Sequence, residues 1–109
     1  MDFWEKEFGN VEEAKDFTGR KIRKHDQGKN NSQYGWDIDH IQPLSKGGTD
    51  TDANKQIVHV VTNDKKGDKT TFVIDGITYQ VQKTSRSDED CWAQYNYSNK
   101  KYCIVEIEQ

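Results

Sequence analysis

Residues 36–68 constrain the fold of this chain more than any other stretch; they are WDIDHIQPLSKGGTDTDANKQIVHVVTNDKKGD. Trp36 and Ile38 alternate with polar residues, which predicts a half-buried strand that runs into His40. Pro43 is expected to end the strand, because proline has no N–H to donate to a sheet ladder. The sequence therefore predicts a histidine at the end of a strand, just before a loop.

The next residues predict a loop, a second strand and a short helix. Residues 42–53 are rich in Ser, Thr and Asp and contain two adjacent glycines, the composition of a compact surface loop, which Asn54 closes. The β-branched run at residues 56–61 is expected to pair with the first strand. Thr62 is a suitable N-cap for a short helix, and Gly67 limits its length. The predicted order is strand, loop, strand and helix.

The flanking segments predict smaller elements. Residues 2–17 place apolar side chains at three- and four-residue steps, broken by a Gly-Asn pair, which predicts two short helical pieces. Residues 18–34 are polar, basic and rich in Gly and Asn, and they predict an irregular or hairpin-like excursion. Residues 71–109 are β in character, with turn signals at residues 75–76 and 98–100 that predict two hairpins.

Composition limits the class of protein. A chain of 109 residues with 31% hydrophobic content is expected to form one small domain with a thin core. No apolar run approaches the roughly 18 residues that a membrane span needs, and the first residues are acidic, unlike a signal peptide. We therefore expect a soluble, cytoplasmic protein with no membrane partner. The net charge of -3 is a mild argument against nucleic acid.

The two cysteines, Cys91 and Cys103, have no CxxC pattern and no histidine close to them in the sequence. Their spacing argues against zinc bound by cysteine. We expect reduced, partly buried thiols in preference to a disulfide.

One combination within the central stretch is specific. An acid directly precedes the histidine, as Asp39-His40, and Pro43, a glycine pair, Asn54 and Asn63 follow. This combination closely resembles the active-site motif of the HNH endonucleases. The resemblance implies an α+β fold with a ββα-metal (His-Me finger) core, to which the flanks add short N-terminal helices and C-terminal β-hairpins.

The resemblance also implies how the chain is divided. We expect a single HNH nuclease domain over residues 1–109, with the core motif at residues 36–70 and a C-terminal β-hairpin extension at residues 71–109. Nothing in the sequence indicates a repeat or a second domain.

Hydrolysis of a phosphodiester needs an activated water and compensation for charge on the phosphate and on the leaving oxygen. His40 is the candidate general base, because histidine titrates near neutrality. Asp39 and Asn63 offer two oxygens to one divalent cation, and the resemblance implies the same ligands. Oxygen ligands favour Mg²⁺ or Mn²⁺ over transition metals. The resemblance further implies that Asn54 pins the loop and so orients the catalytic histidine.

Neighbouring side chains on a regular strand point to opposite faces, so we expect a bend at Asp39-His40 that lets both reach one phosphate. The basic segments on either side of the motif supply candidate nucleic-acid contacts at Arg20, Arg23, Lys24 and Lys66. His59 is expected to be structural.

The resemblance implies a metal-dependent DNA endonuclease, with RNA as an alternative substrate and with nicking and double-strand cutting both open. A second reading is a nucleic-acid or protein-binding module that keeps the HNH fold without catalysis. A third is a nuclease toxin domain. The complete set of Asp39, His40 and Asn63 argues against a pure binding module, since such a module has no need of all three.

Overall fold

The computed structural model describes residues 1–85 and 89–108, which form short helices and small antiparallel sheets, a mixed α+β structure. In chain order the elements are α1 (Phe3–Phe8), β1 (Glu13–Lys15), β2 (Lys21–Arg23), β3 (Trp36–His40), β4 (Lys55–His59), α2 (Val60–Lys66), β5 (Thr71–Ile74), β6 (Ile77–Lys83) and β7 (Tyr102–Ile107). Short 3₁₀ turns lie between them at Lys24–Asp26, Leu44–Lys46, Asp52–Asn54 and Glu89–Trp92. Within the described ranges, no helix has the length and apolar content to cross a membrane.

The N-terminal segment contains one helix followed by a strand. Asp2 caps α1, because its Oδ1 accepts a hydrogen bond from the Glu5 N–H at 2.8 Å. The second helical piece that we predicted is wrong: residues Glu13–Lys15 form β1, which pairs antiparallel with β2. Ala14 lies between two exposed charged residues, and this two-residue alternation lets it pack on the small core made by Trp4, Ile22, Trp36 and Ile57.

The central segment confirms the predicted order of strand, loop, strand and helix. β3 and β4 pair antiparallel along their full length, with Asp39 opposite Gln56 and His40 opposite Lys55. The pairing runs unbroken to His40, so the bend that we expected at Asp39-His40 does not interrupt the ladder. α2 starts at Val60, inside the run of residues 56–61 that we expected to be strand, and Gly67 ends it as predicted.

The burial pattern of β3 differs from the predicted alternation. Trp36 is buried as expected, but Ile38 is 38% exposed and Asp39 only 8% exposed. A carboxylate can lie inside only where it has partners, and Asp39 has them in Gln56 and Lys66. These partners come from distant parts of the sequence, so apolar spacing alone could not indicate them.

The predicted N-cap of α2 at Thr62 is wrong. His59 caps the helix, because its Nδ1 accepts a hydrogen bond from the Val61 N–H at 3.0 Å. Its Nε2 donates to the Gln33 carbonyl at 2.8 Å, so both ring nitrogens of His59 have structural partners, as its expected structural role requires. Thr62 is buried within the helix, where its hydroxyl donates to Asp16 at 2.6 Å.

Buried Asp16 fixes the start of α2 against the β1–β2 hairpin. Its Oδ2 accepts from the Thr62 hydroxyl and from the His59 N–H at 2.9 Å. Its Oδ1 accepts from the backbone N–H groups of Thr18 and Arg20 at 2.9 and 3.2 Å. Hydrogen bonds to an ionised carboxylate are among the stronger ones in proteins. The helix therefore holds a defined position beside β3.

The C-terminal strands form one sheet rather than two hairpins. The first predicted hairpin is confirmed: β5 and β6 pair around Asp75, which has φ 53° in the left-handed region. The second is wrong, because β7 pairs with β6 and gives the order β5-β6-β7. Its expected first strand, residues 92–97, contains a 3₁₀ turn and irregular chain that sends Tyr95 and Tyr97 into the core. Residues 86–88 and 109 of the expected extension lie outside the described residues.

Cys91 and Cys103 form a disulfide, so the prediction of reduced thiols is wrong. β7 places Cys103 in the core, and the 3₁₀ turn at Glu89–Trp92 places Cys91 at a Cα–Cα distance of 5.3 Å from it. That separation lies in the usual range for a disulfide. The two residues meet through chain folding beyond β6, which their spacing in the sequence does not reveal.

Candidate active site

An open cavity of about 340 Å³ lies where the end of β3 faces α2. Asp39 and His40 reach it from β3, and Asn63 reaches it from α2. Ile38 of β3, the first turn of the following loop and the residues directly after α2 complete its walls; the loop supplies Pro43, Leu44 and Ser45, and the chain after α2 supplies Gly67 and Asp68. The structure therefore brings together the three residues that the sequence singled out for chemistry.

Asp39 is the buried acid of this cavity. Its Oδ2 accepts a hydrogen bond from Gln56 Nε2 at 2.9 Å and lies 3.2 Å from the Lys66 ammonium. Burial raises the pKa of Asp39 above its ordinary value, and the charge of Lys66 and the hydrogen bond from Gln56 offset part of that rise. The carboxylate is thus held in place by two partners while it still borders the cavity.

Lys66 is fully buried, with 0% of its side chain exposed. Its Nζ donates to the backbone carbonyl of His40 at 3.0 Å and to Asp39 Oδ1 at 3.4 Å. The Lys66 ammonium is buried beside Asp39 and serves there as its counter-charge, and its predicted contact with phosphate stays a prediction.

His40 is partly exposed, at 31% of its side chain, and its Nε2 lies 2.8 Å from Asp50 Oδ1. A carboxylate only accepts hydrogen bonds, so Nε2 carries the proton and a neutral His40 keeps its lone pair on Nδ1. Hydrogen bonds from His40 and Lys55 lower the pKa of Asp50. Asp50 therefore stays ionised and fixes the tautomer and orientation of the ring.

Asn54 holds the loop that carries Asp50. Its Oδ1 accepts from the Gln42 N–H at 2.9 Å, and its Nδ2 donates to the carbonyls of Gln42 and Thr49 at 3.0 and 2.8 Å. Gly48 is needed beside it, because a Cβ there would lie 1.9 Å from the Gln42 carbonyl oxygen. Asn54 is buried and acts on the backbone, so it positions the segment after His40 and has no direct contact with the cavity.

Asn63 is oriented by Asp37. Its Nδ2 donates to Asp37 Oδ2 at 3.3 Å, which leaves the amide oxygen as the atom free to serve as a ligand. Asp37 also lies on β3, two residues before Asp39 and so on the same side of the strand. β3 thus supplies one candidate oxygen ligand, Asp39, and orients a second, Asn63.

The residues present fit a hard divalent cation better than zinc. Asp39 and Asn63 offer a carboxylate and an amide oxygen to one cavity, the donor types that Mg²⁺ and Mn²⁺ prefer. Among the described residues there is no group of three or more His, Cys, Asp or Glu side chains that could enclose a metal ion. A cation held by two protein oxygens would take its remaining ligands from water and substrate, as Mg²⁺ commonly does.

The basic residues predicted before the motif each pair with a carboxylate. Arg20 lies 2.9 Å from Asp75, Arg23 lies 3.1 Å from Glu13, and Lys24 lies 3.9 Å from Glu5. The Arg23 guanidinium also lies over the ring of Tyr34, and Arg20 lines a separate pocket with His59. These side chains are not gathered around the cavity of Asp39, and their contact with nucleic acid stays a prediction.

Three partners of the candidate catalytic residues were missed in the sequence. Gln56 faces Asp39 across the β3–β4 ladder, Asp50 contacts His40 from the loop, and Asp37 orients Asn63. The sequence could have indicated Asp37, since residues two apart on a strand share a side. It could not have indicated Asp50 and Gln56, because each meets its partner only through the pairing of β3 with β4 and the path of the loop.

A histidine beside a carboxylate and an amide oxygen is an arrangement that suits metal-assisted hydrolysis. The sequence model of a family described as HNH endonuclease matches residues 16–72, just over half of the chain. The chain therefore belongs to the HNH endonuclease family. The matched segment begins at Asp16 and contains β2, β3, β4 and α2, so it includes every residue of the candidate site.

One curated relative is the CRISPR-associated endonuclease Cas9 1 of Streptococcus thermophilus. It is 39% identical to this chain over 56 residues, which are 51% of this chain and 5% of that protein. The chain thus corresponds to a small part of that relative. No solved structure matches the chain.

Replacing Lys66 with Met is expected to destabilise the protein in a pH-dependent way. Loss of one partner of a buried ion pair costs about 3–5 kcal/mol, and the Asp39 pKa, already raised by burial, should rise further. The variant's free energy of unfolding is therefore reduced at pH values above the folded-state pKa of Asp39. The reduction disappears as the pH falls below that pKa, because the protonated carboxyl needs no counter-charge.

Urea unfolding at pH 8 and pH 5, with chelator present, measures this change in the free energy of unfolding. Lys65→Met is the matched control, since Lys65 is exposed on the same helix and pairs with surface Asp75. An equal loss of stability for Lys66→Met at both pH values would contradict the assigned ion pair.

Proposed function

We propose that this protein is a metal-dependent DNA endonuclease and that β3, β4 and α2 form a ββα-metal core. The observation that supports this most directly is the shared cavity of Asp39, His40 and Asn63, with Asp39 buried and His40 open to solvent. A module that only bound nucleic acid would have no need to bury a carboxylate beside an accessible histidine.

In the proposed reaction His40 acts as general base through Nδ1. It takes a proton from a water molecule, whose oxygen forms a bond to phosphorus while the bond to the 3′ oxygen of the DNA breaks. Asp50 accepts the hydrogen bond from Nε2, which keeps the Nδ1 lone pair available and stabilises the imidazolium that forms. The products are a 5′ phosphate and a 3′ oxygen that takes up a proton.

Asp39 and the amide oxygen of Asn63 are the proposed ligands of the cation. When bound, Mg²⁺ or Mn²⁺ would offset negative charge on a phosphate oxygen and on the leaving 3′ oxygen. Asp39 supplies the negative charge that attracts the cation, and Asp37 keeps the Asn63 oxygen directed to the same site. Lys66 compensates Asp39 when no cation is present, so cation binding competes with part of that contact.

Contacts to the DNA backbone are proposed at the edges of the cavity. Lys46 and Lys69 are exposed and follow directly after the cavity residues Ser45 and Asp68. To bind phosphate, Arg20, Arg23 and Lys24 would have to leave their carboxylate partners. This exchange lowers the binding free energy that each can contribute to the complex with DNA. Localisation in the cytoplasm is part of the same proposal, in keeping with DNA as the substrate.

His40→Ala is expected to slow nicking of supercoiled plasmid by at least about a hundredfold, the low end of general-base effects, because no other group would remove the proton from water. For the native protein the rate should rise as the pH is raised from acid, since a histidine base works only when neutral. Rates are compared at saturating Mg²⁺ or Mn²⁺.

His25→Ala is the matched control, because His25 is an exposed histidine that pairs with Glu12 away from the cavity. Thermal unfolding of both variants checks that the fold is kept. Native-like activity of folded His40→Ala would show that a group other than His40 acts as the base.

Asn63 is expected to set the choice of metal. The native protein should cleave with Mg²⁺ or Mn²⁺, and Asn63→Ala should lose cleavage while keeping much of its salt-dependent affinity for DNA. Asn63→His should shift activity towards Co²⁺ or Ni²⁺, because imidazole favours those ions.

Cleavage and DNA binding are measured across a series of metals, with exposed Asn10→Ala as the control variant. Activity of the native protein with Zn²⁺ or Ni²⁺ alone, or full Mg²⁺-dependent activity of Asn63→Ala, would show that the ligands are elsewhere.

A further inference from the structure

A chain of buried hydrogen bonds runs from the C-terminal part of the protein to Asp39. The Tyr97 hydroxyl donates to Gln56 Oε1 at 2.7 Å, and Gln56 Nε2 donates to Asp39 Oδ2 at 2.9 Å. Tyr97 and Gln56 are completely buried, so water does not compete for either contact. The proposed reaction uses Asp39 but assigns no role to these two residues.

The direction of this chain is fixed by chemistry. An ionised Asp39 can only accept, so Gln56 must present its NH₂ group to it. The Gln56 oxygen then faces Tyr97 and needs a donor, which the phenol provides. Burial raises the pKa of Tyr97 well above its ordinary value, so the hydroxyl keeps its proton at any pH at which the protein works. Without that donor, the buried Gln56 oxygen would lose this partner, and the contact with Asp39 alone would have to orient the amide.

Tyr97 is held in place by several contacts to the central unit. Its ring lies against that of Tyr95, with 5.0 Å between centroids. The Lys101 N–H donates to the Ala53 carbonyl at 2.8 Å, and Lys100 Nζ donates to the Asp52 carbonyl at 2.9 Å. Residues 97–101 are therefore attached to the chain just before Asn54. They lie outside residues 16–72, the segment that matches the family.

We propose that Tyr97 is a positioning residue of the cation site, acting through Gln56 on Asp39. The hydrogen bond from Gln56 fixes Oδ2 of the carboxylate, and Oδ1 keeps only the longer 3.4 Å contact to Lys66. The C-terminal segment thus completes a metal ligand whose own strand lies in the family core. This inference rests on the proposed function, because it assigns the cation to Asp39.

A purely structural role for Tyr97 makes a different prediction. If the hydroxyl only satisfied Gln56 in the core, its loss would lower stability without a separate effect on the cation. Tyr95 provides the comparison, because it is a buried tyrosine of the same segment whose hydroxyl donates to Glu7 instead of Gln56. Tyr97→Phe and Tyr95→Phe each remove one buried hydroxyl and keep the ring.

The test is a titration of the DNA-free protein, at millimolar concentration, with Mn²⁺. Binding is measured as the loss of the EPR signal of free Mn²⁺. Tyr97→Phe is expected to weaken Mn²⁺ binding about tenfold, the low end of the effect of removing outer partners of a metal ligand. Tyr95→Phe should bind Mn²⁺ as the native protein does. Thermal unfolding in the presence of chelator should show losses of stability of similar size for the two variants.

A second variant, Gln56→Leu, tests the same proposal. It should weaken Mn²⁺ binding at least as much as Tyr97→Phe, and adding Tyr97→Phe to Gln56→Leu should cause no further loss, because the hydroxyl acts only through Gln56. If the two substitutions weakened Mn²⁺ binding equally and independently, the proposed action of Tyr97 through Gln56 would be overturned.

The outcomes separate this inference from the proposed function. Native Mn²⁺ affinity in Tyr97→Phe, or an equal loss in Tyr95→Phe, overturns the positioning role while native binding and cleavage still support the cation site. Absence of Mn²⁺ binding by the native protein, together with cleavage that survives Asp39→Ala, overturns the cation site and this inference with it.

Discussion

The buried carboxylate of Asp39 is the constraint on which the arrangement of the site depends. Removing a charge from water costs several kcal/mol, and the structure offsets that cost with the Lys66 ammonium and the Gln56 amide. Lys66 can serve only because α2 lies directly beside β3, and α2 lies there because Asp16 and His59 fix its first turn. The same low-dielectric setting strengthens the attraction of Asp39 for a cation.

His40 is supported by different means. It is exposed at the end of the strand, and the pinned loop, rather than the core, determines its orientation. Asn54 joins the two ends of that loop through Gln42 and Thr49, and the loop then brings Asp50 to the imidazole. The Asp39 carboxylate and the His40 ring therefore have different side-chain partners, and Lys66 links the two residues because it also donates to the His40 carbonyl.

Local signals in the sequence predicted the central segment well. Pro43, the adjacent glycines, Asn54 and Gly67 mark breaks whose causes lie within a few residues, and the order of strand, loop, strand and helix follows from them. The close approach of Gly48 to Gln42 explains why a glycine is needed at that position. The HNH motif also identified the family, which the match over residues 16–72 confirms.

The features that sequence reasoning missed depend on distant partners. Lys66 was predicted as a nucleic-acid contact, yet its side chain is buried, and the ion pair with Asp39 offsets the cost of that burial. β7 pairs with β6 instead of the nearer residues 92–97, and that choice also brings Cys91 to Cys103. His59 replaces Thr62 as the helix cap because Asp16 takes the threonine hydroxyl. Each of these features depends on a contact between distant segments, which the spacing of residues within one segment does not predict.

The proposed reaction depends on the placement of one divalent cation between Asp39 and Asn63, beside His40. Anomalous diffraction from crystals soaked in Mn²⁺ tests it most directly, because the ion is located without reference to activity. We expect an anomalous peak in the cavity, about 2.1 Å from an Asp39 carboxylate oxygen and from the Asn63 amide oxygen, a distance typical of small hard cations. A peak at other carboxylates, with Asp39 still paired only to Lys66 and Gln56, would contradict it.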